Sequence, residues 1–485
     1  MTADPPPALP SRRTGAVIGL LSVAAFLAVA QLASVFSGRS SAPVPAIGET
    51  FVDNTPRWLK EFAARTFGVN DKTVLVAGIF VVIALIAAAV GAFSVRRRWL
   101  GTAGIVAIAV IAGVSADGRP DAGTLAPLPA VAGAVGAMLA FRALLRATTP
   151  RAPGPSGDVL ASSTVAGEGG DEDRRSATSD RRRFLVTSGG IAVGAVAAGY
   201  VGLTSSRRGA AAGASRESAA AQFATRSPAA SPSAAVTTGA QLDVPGLSPF
   251  FTPNKDFYRI DTALSVPEID ATKWSLRIHG MVDHELVLTY ADLLAMTAAE
   301  HDVTLCCVSN PVGGDLIGNA RWTGVPLADV LAKAGVQPGA TQLLSTSADG
   351  WTAGTPTAVV LDGRAALLAY GMNGEPLPIV HGFPVRLVVP GLYGYVSATK
   401  WLTDIELTTM DAKGYWITRG WSQNGPVKTQ SRIDVPNPKN QARVGNSPIA
   451  GVAWSQHKGI AKVEVSIDGG PWLEARLAGE DVTDT

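Results

Sequence analysis

Cys306 and Cys307 are the only cysteines in the 485 residues, and they stand side by side in the string Val303, Thr304, Leu305, Cys306, Cys307, Val308, Ser309, Asn310. A thiolate is the soft ligand a chain offers to a soft or redox-active metal, and no other sulfur cluster competes here. A closed zinc or iron–sulfur site needs more Cys and His than this segment holds. Spacing alone puts the bland alternatives first: a buried free thiol or a strained vicinal disulfide.

The surrounding motifs change that ranking. The chain reads Ala-Arg-Trp-Thr-Gly-Val-Pro-Leu from Ala320 to Leu327 and Tyr-Gly-Met-Asn-Gly-Glu-Pro-Leu-Pro from Tyr370 to Pro378. It continues with His-Gly-Phe-Pro-Val-Arg from His381 to Arg386, then Pro390 with Gly391 and Lys400 with Trp401. Taken in order with the Thr-Leu-Cys-Cys string, these blocks resemble the sulfite-oxidase family of molybdopterin enzymes over roughly residues 250 to 470.

That resemblance implies a molybdenum–molybdopterin cofactor, with Cys307 supplying the thiolate on the metal. In an extended segment Cys306 then points to the opposite face, as a core residue. His381, Arg386 and Lys400 are the implied cofactor contacts, a set suited to a phosphate. Asp349 is the implied acceptor for the pterin ring, and Gly391 and Gly394 are where the backbone comes close. Arg259 aligns with an Arg-Asn-His string of the family and is implied to face the metal pocket, as a catalytic and cofactor-binding residue. Trp421 falls near the family's active-site tyrosine, but has no hydroxyl to donate.

The departures matter for the substrate. Ile260 and Asp261 replace the Asn and His of the first string, and Asn310, Pro311, Val312 replaces an Asn-Arg-Arg string. A pocket without two cationic donors binds a small dianion less well, each charged hydrogen bond being worth about 1.5–3 kcal/mol. Sulfite is therefore not the expected substrate. The expectation is oxygen-atom transfer on another small molecule, with electrons passing to or from a partner protein. A non-catalytic, membrane-anchored interaction module on the same fold is the alternative.

The elements that must carry these residues divide in two. Charged residues are 16% of the chain and its mean hydropathy is +0.22, which points to a membrane protein. A net charge of +2 gives no case for nucleic acid. Five segments approach the roughly 20 apolar residues needed to cross a bilayer: Gly15 to Phe36, Val74 to Phe93, Trp99 to Ser115, Thr124 to Leu145 and Phe184 to Leu203. Arg12 and Arg13, Arg96 to Arg98, and the arginines between Arg146 and Arg183 fall on one side if all five span. The N-terminus is then cytoplasmic, and the chain beyond Leu203 lies outside. The outer loop Ser37 to Lys72 carries basic residues too, but Trp58, Leu59, Phe62 and Phe67 suggest an amphipathic helix at the interface. Arg181, Arg182, Arg183, Phe184, Leu185 resembles a twin-arginine export signal, and reads equally as a plain positive-inside cluster. All five histidines lie beyond the last apolar segment, so the helices offer no haem ligands.

The expected architecture is multi-domain. Residues 1–147 form a four-helix transmembrane region, 148–183 a cytoplasmic low-complexity loop, 184–204 the fifth helix and 205–240 a flexible tether. Residues 241–433 read as an α+β, mainly β cofactor domain, because strand and helix do not alternate regularly. Helical patterns there are brief, notably Tyr290 to Met296 and Leu327 to Ala334. Residues 434–485 read as the start of an immunoglobulin-like sandwich, with runs at Ile449 to Trp454, Ile460 to Ile467 and Trp472 to Leu477. About 100 residues complete such a fold, so the tract suggests truncation and leaves homodimerisation open.

Overall fold

The computed structural model describes residues 10–479 apart from 57, 60, 61, 63–65, 67–70, 149–168, 226–238, 312, 438–440 and 443. Most of the expected 148–183 loop, the second half of the tether and much of the interfacial stretch around Phe67 lie outside the described residues. The chain divides into two compact units, Met1–Gly209 and Ala210–Thr485.

The first unit is helical. Its elements are α1 (Arg12–Ser37), α2 (Pro43–Asn54), α3 (Asp71–Ser94), α4 (Arg98–Asp117), α5 (Leu128–Thr148) and α6 (Gly169–Thr204). Five helices among the described residues are long and apolar enough to cross a membrane. Small residues set their packing. Gly15 and Gly19 on α1 lie against Gly91 and Ala87 on α3, where a Cβ on Gly19 would strike the Ala87 carbonyl. Close backbone approach of this kind is how apolar helices associate when lipid removes the hydrophobic drive. Phe80, Val81, Leu85 and Ile86 of α3 remain exposed, as lipid-facing side chains would. The helix α2 was not evident from sequence, and it begins with a proline at its first position, where no N–H is missed. Its Glu49 is buried against Arg119, which also binds Asp121 at 3.0 Å.

Helix α7 (Arg207–Thr225) crosses into the second unit, over residues whose Ala/Ser/Arg composition reads as a tether. From Ala210 onward it is packed, not free. Arg216 donates to the carbonyls of Leu377 and Pro376 at 2.8 Å each, and Ser215 Oγ accepts from the Ala271 N–H. Phe223 fills the space left by Gly371.

The rest of this unit holds two five-stranded sheets. One has the order β2 (Leu286–Thr289), β1 (Ser275–Gly280), β10 (Leu402–Thr408), β5 (Gln342–Ser347), β6 (Thr352–Pro356). The other runs β3 (Ala299–Cys306), β4 (Ile317–Pro326), β7 (Leu367–Met372), β8 (Glu375–Pro376), with β9 (Arg386–Val388) also paired to β7. Every residue of β7 is buried, as a central strand requires. Trp322, Trp401, Tyr370 and Phe383 are the largest fully buried side chains of this unit. The short helices α8 (Tyr290–Ala295) and α9 (Leu327–Ala334) stand where the sequence pattern put them, α8 behind a capping box of Thr289 and Asp292.

Beyond Gln430 the expected sandwich does not form among the described residues. Instead β11 (Gln430–Val435) pairs with β12 (Ala450–Trp454), and β13 (Glu464–Val465) pairs with β14 (Leu473–Glu474). Among the described residues these are two separate two-stranded sheets, too few strands for a sandwich.

Candidate functional site

Strand β3 delivers the two thiols to different surroundings. Cys306 is its last residue, paired with Ile317 and 1% exposed, whereas Cys307 lies past the strand end and is half-buried. Both are free thiols. The loop after them is closed by three hydrogen bonds: Cys307 N–H to Leu316 O at 2.9 Å, Asn310 N–H to Cys307 O at 3.0 Å, and Leu316 N–H to Asn310 Oδ1 at 2.9 Å. Asn310 thus acts as the turn residue. Burial raises the Cys307 thiol above its usual range, against hydrogen bonds from Ser309 that favour its thiolate. Cys306 is pushed up to about 11, chiefly by burial.

The segment from His381 to Trp401 gathers three of the expected cofactor contacts. Gly382 has φ of 113°, and a Cβ there would come within 3.1 Å of the Cβ atoms of both Arg386 and Lys400. Only glycine lets those two residues close around the turn. Arg386, on β9 and 5% exposed, donates to His381 O at 3.1 Å and Ala398 O at 3.3 Å, and its guanidinium lies 4.9 Å from the Trp322 ring centre. Its Nε is buried without a hydrogen-bond partner among the described residues. Desolvation lowers its pKa to about 10. His381 bonds through Nε2 to Asn254 O at 2.9 Å, and burial pushes its pKa down to about 4. Trp401 holds a φ of 51°, a strained value for a bulky residue, fixed by a fully buried indole donating to Ile379 O at 2.8 Å. Burial lowers the Lys400 pKa to about 8, although a carboxylate partly restores it.

That carboxylate is Asp261. One oxygen, Oδ2, accepts from Lys400 Nζ at 2.7 Å and from Arg259 Nε at 2.8 Å, and the side chain is 5% exposed. The residue that stands where the family string has His therefore pairs with two cations and offsets one of their charges. Arg259 itself is more exposed, at 38% of its side chain. Asp349 stands in the field of Asp261 and Lys400. Burial raises its carboxyl pKa, while its Oδ1 accepts from the Trp351 N–H at 3.0 Å.

Tyr258 joins the thiols to the cations, a role the sequence reading missed. Its hydroxyl pKa is raised first by burial, then by Cys307, and lowered by Arg386, so it lies within the field of both. Phe257 holds it in place. That ring stacks on Tyr258 at 5.2 Å, meets His381 edge-on at 5.5 Å and occupies the space left by Gly318 on β4. The Phe-Tyr pair ahead of Arg259 was the available signal.

Trp421 belongs to a different grouping. It stacks on Trp416 at 4.5 Å and meets Tyr395 edge-on at 5.0 Å. Gly394, next to Tyr395 in the chain, is where this grouping comes near the site: a Cβ there would stand 3.9 Å from the Cys306 carbonyl oxygen and from Tyr258 Oη.

A phosphate-bearing pterin needs buried cationic donors with unspent capacity and a backbone it can approach. The unpartnered Arg386 Nε supplies the first, and Gly394, with no atom closer than 3.6 Å to its Cβ position, supplies the second. Gly391 does not serve in the same way, because His457 at 2.7 Å and Arg364 at 3.0 Å already fill its side-chain space. Apart from that glycine, the residues fit the group.

Fold and site together define a molybdopterin-binding oxidoreductase domain, and residues 263–416 match the family model described as the oxidoreductase molybdopterin binding domain. Cys307, Asp349, His381, Arg386 and Lys400 lie inside the match, while Arg259 and Trp421 lie outside it. The chain is 38% identical over 156 residues to an uncharacterized oxidoreductase, YuiH, of Bacillus subtilis (strain 168), covering 32% of this chain and 76% of that protein. It is 34% identical over 275 residues to mitochondrial sulfite oxidase of Macaca fascicularis, covering 48% of this chain and 50% of that one. Among solved structures, the sulfane dehydrogenase SoxCD of Paracoccus pantotrophus aligns with a TM-score of 0.43 at 29% identity, over 48% of this chain and 66% of that one. The chain belongs to the sulfite-oxidase-like family of molybdopterin oxidoreductases, whose cofactor is molybdopterin. It spans about half the length of the animal sulfite oxidase it matches.

Proposed function

We propose that this chain is a membrane-anchored oxidoreductase that transfers an oxygen atom to or from a small, uncharged substrate outside the cytoplasmic membrane. The observation that carries the site is the buried Arg386 Nε left without a partner among the described residues, in a cluster where Tyr258 lies in the field of both Arg386 and Cys307. When bound, molybdenum–molybdopterin supplies the two-electron redox change, and the balance is substrate plus water giving oxidised substrate, two protons and two electrons, or its reverse.

The chain's own residues supply position and charge. Cys307 offers its sulfur to the metal from the mouth of a closed loop. Arg386 and Lys400 would hold the phosphate end, His381, neutral and bonded through Nε2 to Asn254 O, braces Arg386 through its own carbonyl, and Asp349 would accept from the pterin ring. Asp261 pairs with Arg259 and Lys400 and offsets one of their two charges, which lowers the pull on an incoming dianion and favours a sulfoxide, an N-oxide or a neutral sulfur compound over sulfite. Trp421 adds an apolar stacking face to the approach, not a proton. Membrane anchoring is supported by the five apolar helices and by arginines that fall on one side of them. With the histidines all beyond those helices, a separate protein carries the electrons.

Metal analysis of purified protein tests the reading. About one molybdenum per chain is expected, lost on Cys307→Ser with the fold retained. A wild-type protein that acquires none, even in a host making the cofactor, would sink it. Turnover of sulfite, sulfoxides and N-oxides with an artificial electron dye then fixes the direction.

A further inference from the structure

The helical unit contains a cleft of about 290 Å³ between the start of α4 and the end of α5, and its chemistry is not that of an anchor alone. Arg98 on α4 and Arg142 and Arg146 on α5 line it, with Trp99 and Thr102 beside them and no acidic residue among the described residues of the lining. Its geometry is built by a glycine. A Cβ on Gly101 would collide with the Phe141 ring, so only glycine lets that buried ring seat against α4 and form the floor.

We infer that this cleft binds the phosphate headgroup of an anionic phospholipid. The shared chemistry is a phosphate held by guanidinium groups, whose planar forks suit phosphate oxygens. What selects a lipid over free phosphate is the surface that continues from the cleft. On α4, Val106 and Val110 follow Thr102 at four-residue steps and are 51% and 57% exposed; on α5, Leu139, Val135 and Val131 precede Arg142 at three- and four-residue steps and are 63%, 56% and 59% exposed. Each series keeps to one helix face, so apolar stripes run from the cleft along both helices, as acyl chains require. Trp99, 62% exposed, marks the depth at which indoles sit between headgroup and hydrocarbon. Basic clefts between spanning helices on the cytoplasmic side are suited to such headgroups.

The inference rests on the membrane part of the proposed function, and one experiment separates the two. Full-length protein is purified in neutral detergent, delipidated, and titrated with phosphatidylglycerol, phosphatidylcholine or inorganic phosphate while bound lipid and thermal unfolding are followed. Phosphatidylglycerol should bind and raise the unfolding temperature, and Arg98→Gln with Arg142→Gln and Arg146→Gln should weaken it by at least about tenfold. Thr102→Trp, which fills the cleft and keeps all three charges, should do the same and guards against a triple variant that fails to fold. Equal response to phosphatidylcholine, an equal effect of inorganic phosphate, or unchanged binding by Thr102→Trp would overturn the lipid site. Protein that stays monodisperse without detergent would instead overturn the membrane reading.

Discussion

The two halves of this molecule treat positive charge in opposite ways. In the β-rich unit Arg386 and Lys400 are taken out of water, one left with an unpartnered nitrogen and the other tied to Asp261. In the helical unit Arg98, Trp99, Arg142 and Arg146 gather at helix ends around an open cleft, while the helix interiors pack through glycine and alanine. Burying a cation is costly and persists only where an anion or polar ligand is expected, whereas a cation at a helix end stays solvated. Buried against displayed charge thus separates the cofactor site from the cleft between α4 and α5, although the helical unit also buries one cation, Arg119, against Glu49.

The comparison can be broken in four places, beginning with the largest effect. His381 takes a proton near 6.5 when unfolded and only near 4 when folded, so between those values the unfolded chain binds more protons. Stability is full above pH 6.5 and falls as the pH drops toward 4, by about 3 kcal/mol at the low end. Asp349, with its raised carboxyl, acts in the opposite direction, so the difference between wild type and His381→Gln in denaturant titrations is the quantity to compare. An unchanged pH slope in the variant would remove His381 from the buried cluster.

Arg386→Met, which also frees the His381 and Ala398 carbonyls and so lowers stability, should weaken cofactor retention by the folded protein by about 2 kcal/mol, or some thirtyfold, read as pterin and metal content after dialysis. If retention holds, the orphan nitrogen serves no ligand. On the other side of the comparison, Gly19→Val forces a side chain into the Ala87 carbonyl and should lower stability in detergent by about 2 kcal/mol, with no change in metal content. The smallest expected effect is that of Asp261→Asn, which returns one unit of positive charge to the site. It should raise apparent affinity for sulfite or sulfate about tenfold in the apoprotein, measured by calorimetry. No gain in anion binding would mean that Asp261 only props Lys400.

Much of this was legible from the chain. The helix at Leu327–Ala334 and the strand at Ala450–Trp454 follow from local periodicity, and the ordered blocks from Cys307 to Lys400 name the cofactor. The helix at Arg207–Thr225 was not legible, because its Ala/Ser/Arg composition has no apolar stripe. It is held by Arg216 reaching the carbonyls of Leu377 and Pro376, partners 160 residues away and more. The runs after Gln430 look like sandwich strands for a related reason. Alternation fixes which face is apolar but does not say whether a second sheet arrives to cover it.

What the sequence by itself determined are quantities set within a few residues: hydrocarbon-length helices, the placement of arginines at their ends, and the order of motifs around a lone pair of thiols. Tertiary structure alone decided that Tyr258 lies in the fields of both Cys307 and Arg386, and that Asp261 ties Arg259 to Lys400. Hydropathy and turn preference act along the chain and survive in the sequence as pattern. Desolvation and charge pairing act through space, and exist only once distant segments have closed around the same few cubic ångströms.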